Sequence, residues 1–325
     1  MAQEVEVVQG VPATPLKQKR FVLGHDFRTQ SELQVMIWPA IISIIVFSFI
    51  PLFGLLMAFK NYDPTTGIPG IFTSEWNKFQ NFLWVFHNYQ FWPMIRNTLG
   101  INLVGFVVGF PVTIIFALML NEIINSKFKS LIQTITYLPH FLSWVIYGGL
   151  IISLLDPNSG VVNALLLHLH LIKKPIEFLG NPKYFWGIAV ITGLLKDIGW
   201  GAILYLAAIA GVDQTLYEAA AIDGAGRFKR IWYVTIPGIL PTVMIMMIFA
   251  VSGMLNNNFN QIYVLQNALN MPTSQVIDTY VYQIGLQQFQ FAAATAIGLM
   301  KSVIALILLV GANFASKKLT DSGLF

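Results

Sequence analysis

Apolar segments of about 20 residues or more recur along this chain and leave few folds open to it. The first runs from about Val35 to Phe59, and an apolar helix of that length crosses the hydrocarbon core of a bilayer. Hydrophobic residues make up 56% of the 325 residues, charged residues only 10%, and the mean hydropathy is +0.66. Soluble domains average about 25% charged residues. The sequence therefore predicts an all-α membrane protein.

Six membrane-spanning helices are predicted from these segments. After the first, they lie at about Leu99–Leu120, Leu131–Leu155, Tyr184–Ala210, Ile239–Leu255 and Phe291–Asn313, and the third has Pro139 near its start. Gly105 and Gly109 form a small-xxx-small pair that favours close helix packing in the second. The loop Asn61–Arg96 is rich in Trp and Phe, which predicts a helix at the membrane interface, with a sugar-binding strip as the alternative. Val161–Lys183 is predicted to be a second non-spanning loop with a short apolar helix.

A polar stretch at about residues 213–241 separates the fourth and fifth apolar segments. Thr215 and Glu218 fit a capping box, in which Thr215 caps the first turn and Glu218 reaches back to its amide. Asp223-Gly224 is a natural helix end. These signals predict a helix at about residues 216–221, which is too short to be stable unless neighbours hold it. Its alanines leave one flank without bulk, so the helix is predicted to be a docking element.

The placement of basic residues predicts the orientation in the membrane. Six spans put both termini and the polar stretch on one side, and that side carries eleven Lys or Arg: Lys17, Lys19, Arg20, Arg28, Lys127, Lys129, Arg227, Lys229, Arg230, Lys317 and Lys318. The three loops on the other side carry six over many more residues. By the positive-inside rule, both termini and the docking helix are predicted to be cytoplasmic.

Several kinds of chemistry have no candidate residues in this sequence. It contains no cysteine, which excludes disulfides and thiolate metal sites, and His168 and His170 have no Asp or Glu close by in the sequence, so no metal site is expected. No Gly-x-x-x-x-Gly-Lys-Ser/Thr motif is present to bind ATP, and neither His-Glu-x-x-His nor Gly-x-Ser-x-Gly offers catalytic residues. A stand-alone secondary carrier or channel for a small polar solute remains the alternative to an importer subunit.

The polar stretch resembles the cytoplasmic signature loop of ABC importer permeases. The shared pattern is Glu-Ala-Ala at 218–220, two residues, Asp-Gly-Ala at 223–225, then Pro237 and Pro241. Ile231 and Ile236 stand where the family more often has Phe and Leu. We call residues 213–241 the signature loop. Further pieces are similar to the carbohydrate-uptake branch: Phe59–Asp63, Asn97–Leu99, Leu138–Phe141, Ile277–Tyr282 and Ala296–Leu299.

This resemblance implies a type I ABC importer permease fold, with a cytoplasmic tail at 1–34 and a permease domain at 35–325. It implies a multi-pass protein of the bacterial inner membrane that imports an oligo- or polysaccharide, acidic ones such as alginate included, by alternating access. The implied partners are a second, different permease in a heterodimer, two ATPase subunits, a periplasmic solute-binding protein and the lipid bilayer, without nucleic acid. ATP and Mg would bind the ATPase subunits, and this chain would bind no cofactor.

The resemblance also assigns the contact with an ATPase subunit to the signature loop. Its predicted coupling residues are Glu218, Ala219, Ala220, Asp223, Gly224, Ala225 and Pro237. The docking helix would sit in a groove of the ATPase, with Glu218 near a basic residue there.

Polar residues near the spans are the candidates for a substrate pathway. Lys196 and Trp200 are four apart, so they share a helix face and could form a cation–π pair, whereas Asp197 points about 100° away. Lys301 is a second interior cation that would suit a carboxylated sugar. Amide groups for sugar hydroxyls come from Asn256, Asn257, Asn258, Asn260 and Gln261. The alternatives are structural pairing between helices for the charged residues and a plain loop for the amides.

Overall fold

The computed structural model describes residues 31–320, and this part of the chain is almost entirely helical. Contacts along the chain define two units, one ending at Phe53 and the other beginning at Gly54. Five helices are long and apolar enough to cross a membrane, and a bent pair of helices makes six when the pair is counted as one span. The predicted six spans agree with this upper count. Most of the predicted tail at 1–34, and the last five residues, lie outside the described part.

The first span keeps the predicted bounds Val35–Phe59. Helix α1 (Ser31–Ile44) contains Pro39 and passes into a π-helical turn (Ile45–Phe49) and a 3₁₀ stretch (Ile50–Phe59). Its most apolar 18-residue window is 0% buried. Those apolar side chains are therefore free to contact lipid.

The remaining helices continue the chain. In order they are α2 (Gly67–Thr73), α3 (Gln80–His87), α4 (Phe91–Asn121), α5 (Ser126–Phe141), α6 (Trp144–Leu155), α7 (Val161–His168), α8 (Phe185–Ala210), α9 (Gln214–Ile222), α10 (Arg227–Arg230), α11 (Ile236–Ser252), α12 (Phe259–Leu265), α13 (Met271–Ser274), α14 (Ile277–Tyr282) and α15 (Phe291–Thr320). The two loops predicted not to span contain the short helices α2, α3 and α7. The interfacial position of the first loop stays a prediction.

Helices α4 and α8 form the most extensive helix pair, and α5 packs against α8 from another side. The predicted small-residue pair lies in the first of these contacts. A Cβ atom on Gly105 would lie 3.9 Å from Val190 Cγ2, and one on Gly109 would lie 3.8 Å from Leu194 Cδ1. The pair lies in the helix contact as predicted, but a Cβ atom would fit at ordinary van der Waals distance at either position, so the approach of the two helices does not depend on glycine there.

The third span is bent where the sequence predicted one continuous segment. Helices α5 and α6 meet at 104°, with the break at Leu142–Ser143. Pro139 lies in the last turn of α5, not near the start of the span. The hydroxyl of Ser143 accepts a hydrogen bond from the N–H of Ile146 at 3.3 Å and caps the new helix. The chain therefore ends one helix and starts another inside a single span.

Candidate functional site

Helix α9 is the predicted docking helix, but its cap differs from the predicted one. The carboxylate of Asp213 accepts a hydrogen bond from the N–H of Thr215 at 2.9 Å and is the N-cap. Hydrogen bonds from Thr215 hold the pKa of Asp213 below its usual value. The predicted capping box of Thr215 and Glu218 is therefore wrong. An ionised carboxylate is a stronger hydrogen-bond acceptor than a hydroxyl, and its charge is stabilised at the positive N-terminal end of a helix. The helix therefore begins two residues earlier than predicted.

The other end of α9 is the predicted one. Gly224 has φ +73°, the left-handed conformation that favours glycine. The N–H of Ala225 donates to the carbonyl of Ala220 at 2.9 Å, and the N–H of Gly224 donates to that of Ala221 at 3.1 Å. These two bonds form a Schellman motif and satisfy carbonyls that a helix end leaves free. Both ends of α9 are thus capped by the chain itself.

The surface of α9 is open. Glu218, Ala219, Asp223 and Gly224 are exposed, and Ala220 and Ala225 are half-buried. The apolar side chains beside them are also uncovered: Leu216 is 52% exposed and Ile222 is 87% exposed. A short helix with a small flank and exposed apolar residues is suited to contact with another protein.

Pro237 lies just after an irregular turn in the fifth span. The helix runs from Arg227 to Ser252 and contains a π-helical turn at Ile231–Thr235. Pro237 has no N–H to donate, and its ring crowds the carbonyl of Tyr233 four residues before. The prolines were predicted to keep this segment from being a plain helix. A π turn precedes Pro237, whereas Pro241 lies inside the regular α-helix Ile236–Ser252, so the prediction agrees with the structure at Pro237 and is wrong at Pro241.

Lys196 is buried beside the bend of the third span, with 4% of the residue exposed. Its ammonium group donates three hydrogen bonds to backbone carbonyls, those of Pro139 at 2.7 Å, His140 at 2.8 Å and Leu142 at 2.7 Å. Carbonyls at the end of a helix lack partners within that helix. Lys196 satisfies them and neutralises the negative end of α5.

The predicted cation–π pair of Lys196 with Trp200 is wrong. The ammonium group lies 5.5 Å from the ring centre of Trp144 and 5.6 Å from that of Tyr147, both on α6. The bend turns these rings and its own carbonyls toward Lys196. Lys196 and Trp200 are indeed four residues apart on one helix. The rings that lie next to the ammonium group, however, come from α6.

Trp200 and Asp197 instead contact His140, at the end of α5. Nδ1 of His140 lies 2.8 Å from a carboxylate oxygen of Asp197. The imidazole stacks on the ring of Trp200 with centres 4.4 Å apart and planes 3° apart, and Phe141 meets the same ring edge-on at 5.8 Å. We call His140, Phe141, Asp197 and Trp200 the bend platform. It is partly open, since Phe141 is 70% and Trp200 47% exposed.

His140 was not among the predicted site residues. The segment Leu138–Phe141 was noted only for its resemblance to the family. His140 lies 57 residues before Asp197, so helix spacing offers no signal that the two meet. Asp197 pairs with His140 of another helix, which agrees with the alternative that the charged residues pair between helices.

Two of the predicted amide residues have structural partners. The side chain of Asn258 accepts from the N–H of Gln261 at 3.2 Å and caps α12. The amide of Gln261 is buried and donates to the carbonyl of Ala189 at 2.6 Å and to the hydroxyl of Thr192 at 3.1 Å. Asn260 is exposed. A pathway role for these three stays a prediction.

The other predicted residues line a cleft of about 620 Å³. Lys301 forms an ion pair with Asp278, whose carboxylate also accepts from the N–H of Asn257 at 3.3 Å. The side-chain oxygen of Asn257 is buried and finds no hydrogen-bond partner among the described residues, while Asn256 is exposed. We call this the asparagine cleft. Lys301 is therefore a paired cation, which agrees with the alternative that the charged residues pair between helices.

The predicted pathway residues fall into two places. Asn256, Asn257 and Lys301 line the asparagine cleft, whereas Asp197 and Gln261 line a separate groove of about 360 Å³ beside α4 and α8. The structure does not gather the predicted residues in one cavity, and Lys196, Trp200, Asn258 and Asn260 line neither of these two.

Comparison with known proteins identifies the family. Residues 109–321 match the family described as binding-protein-dependent transport system inner membrane component. The chain is 39% identical over 293 residues to Protein LplB of Bacillus subtilis (strain 168), covering 90% of this chain and 91% of LplB. It is 38% identical over 309 residues to the polygalacturonan/rhamnogalacturonan transport system permease protein YteP of the same organism, covering 95% of each. The chain belongs to this family of ABC importer permeases, so the alternative of a stand-alone carrier is rejected.

Solved structures identify the fold. One is a bacterial ABC transporter involved in the import of the acidic polysaccharide alginate, with a TM-score of 0.83, 36% identity, and coverage of 92% of this chain and 99% of that one. Another is a bacterial alginate ABC transporter in complex with an alginate pentasaccharide-bound periplasmic protein, with a TM-score of 0.83, 35% identity and coverage of 92% and 98%. The predicted permease fold is confirmed, and the chain is a multi-pass membrane permease.

Proposed function

We propose that this permease passes an oligo- or polysaccharide from a periplasmic binding protein into the cytoplasm, driven by separate ATPase subunits that hold ATP and Mg. The observation that carries the proposal is α9, an exposed helix whose ends are capped by the chain itself. The relatives that transport polygalacturonan and alginate support an acidic saccharide as cargo.

The proposal includes a second permease. Six spans form only half of a two-fold pathway, so a related but different subunit would supply the other half. The excess of basic residues supports a cytoplasmic position for the termini and the signature loop, in a protein of the bacterial inner membrane. In that orientation α9 faces the ATPase subunits, and closure of the ATPase dimer would move it and switch the pathway between its access states.

Gly224→Val and Glu218→Lys are expected to lower cargo uptake at least tenfold without preventing assembly. A Cβ atom in the left-handed conformation of Gly224 costs roughly 1–2 kcal/mol and disturbs the end of α9. Glu218→Lys reverses an exposed charge at the proposed ATPase contact. The measurement is uptake and ATP hydrolysis by the complete importer in proteoliposomes. Gly226→Ala is the matched control, because Gly226 has φ −68° and open space around it. Coupled transport at wild-type rate in both variants would contradict the proposal.

The bend platform and the asparagine cleft offer the chemistry that saccharides need. The exposed rings of Phe141 and Trp200 can pack against the apolar face of a sugar ring. Asp197, His140 and the side-chain amide of Asn257, a half-buried residue of the cleft, can bind hydroxyl groups. Of the two lysines predicted to face the pathway, neither is free to bind a carboxylate, since Lys196 caps three carbonyls and Lys301 pairs with Asp278. Cargo would therefore be bound through hydroxyls and ring faces on this subunit.

Trp200→Ala and Asn257→Ala are expected to raise the cargo concentration for half-maximal uptake roughly tenfold, because each removes one contact of about 1.4 kcal/mol. Basal ATP hydrolysis and assembly should stay at wild-type levels. Ile191→Ala is the control, since Ile191 is an exposed apolar residue of the same helix that lies outside both sites. Wild-type concentration dependence in both test variants would remove these residues from the pathway.

A further inference from the structure

Tyr217 connects the docking helix α9 to the fifth span. Its hydroxyl lies 3.0 Å from the hydroxyl of Thr235, and either group can donate the hydrogen bond. Thr235 is 2% exposed and is the last residue of the π turn Ile231–Thr235. Tyr217 itself is half-buried, while most of its neighbours on α9 are exposed. The bond is thus shielded from water on the side of the span.

A second contact holds the start of α9 against the same span. A Cβ atom on Gly238 would lie 2.8 Å from Val212 Cγ2, so Val212 packs directly on the backbone just after the π turn. Val212 also joins the apolar cluster around Ile209 and Ile239. The segment before α9 is therefore fixed by apolar packing, and α9 itself by the hydroxyl pair.

The π turn is the irregular point of the fifth span. A π turn holds one residue more than an α-helical turn, and such turns often occur at functional sites. Pro237, two residues further on, cannot donate the backbone hydrogen bond that a regular helix would need there. A displacement applied at Thr235 would therefore act where the span is least regular.

We propose that the hydrogen bond between Tyr217 and Thr235 transmits movement of α9 to the fifth span, which makes Tyr217 a positioning residue for transport. This inference rests on the proposed coupling role of the signature loop. Without the bond, α9 can still bind an ATPase subunit through its exposed surface. Movement of α9 is then passed on incompletely, and ATP is hydrolysed without matching transport.

The test is the ratio of cargo uptake to ATP hydrolysis in proteoliposomes that contain the complete importer. Tyr217→Phe removes one hydroxyl, and Thr235→Val removes the other, together with its 3.4 Å bond to the carbonyl of Arg230, while keeping the side-chain shape. Each is expected to lower the ratio roughly two- to tenfold, the range for loss of one hydrogen bond. The double variant should lower it no further, and Thr235→Ser should preserve it. The matched control is Tyr233→Phe, which removes a hydroxyl from a 74% exposed tyrosine of the same π turn.

Copurification of the subunits and an unchanged melting temperature would show that the variants act on coupling and not on folding. A wild-type ratio in Tyr217→Phe, or single effects that multiply in the double variant, would overturn the link. If Glu218→Lys and Gly224→Val lose transport while Tyr217→Phe does not, only the link fails. If all three transport as wild type, the coupling role of the signature loop fails as well.

Discussion

Lys196→Met is expected to destabilise the folded subunit by on the order of 2 kcal/mol, because the carbonyls of His140 and Leu142 lose their donor at about 1 kcal/mol or more each, while that of Pro139 keeps the N–H of Leu142. The ammonium group of Lys196 satisfies these carbonyls at the bend of the third span. The bend would then lose the interaction that holds it against α8, and the bend platform would lose its geometry.

The measurement is the yield and melting temperature of the complex in detergent. Leu195→Met is the matched control, because Leu195 precedes Lys196 on α8 and is 56% exposed. The control should behave as wild type, whereas Lys196→Met should accumulate poorly or melt well below it. Wild-type yield and melting temperature in Lys196→Met would mean that the bend does not depend on this cation.

Gly199→Ala is expected to disrupt the same packing by a steric route. A Cβ atom on Gly199 would lie 2.5 Å from the carbonyl oxygen of Thr136 and 2.8 Å from the ring of Tyr137, both on α5. The oxygen belongs to the backbone, so a side-chain rotation cannot relieve the clash. Overpacking of this kind costs typically 1–3 kcal/mol. Helices α5 and α8 would have to separate, which would also lengthen the bonds of Lys196.

Gly187→Ala tests this prediction on the same helix. A Cβ atom on Gly187 meets nothing within 4 Å, so this change should leave the melting temperature at or slightly above the wild-type value. Equal melting temperatures for Gly199→Ala and Gly187→Ala would show that α5 can move away from α8 at little cost.

Local features of the sequence predicted the spans and the end of the docking helix. The first span matches its predicted bounds because apolar length alone determines it. The end of α9 at Gly224 was predicted because the left-handed turn is a property of a few consecutive residues. The start of α9 was mispredicted because both Asp213 and Thr215 can cap a helix, each at a different first turn, and the Thr–Glu spacing indicated Thr215, the weaker acceptor.

Features that depend on contacts between helices were missed. The pair of Lys196 and Trp200 was predicted from spacing along one helix, but spacing does not indicate which other helix packs against that face. The bend in the third span brings backbone carbonyls to Lys196 and the imidazole of His140 to Trp200. Pro139 was visible in the sequence, yet a proline alone predicts neither a 104° angle nor the residue that stabilises it.

If α9 binds an ATPase subunit as proposed, the caps at both of its ends affect how quickly the two associate. Asp213 and the turn at Gly224 keep this helix formed in the free permease, so association needs no coil-to-helix transition. The association rate is then limited by encounter and orientation, roughly 10⁵–10⁷ M⁻¹s⁻¹ for two rigid protein surfaces. Substitutions that fray α9 would slow complex formation even where the final complex is unchanged.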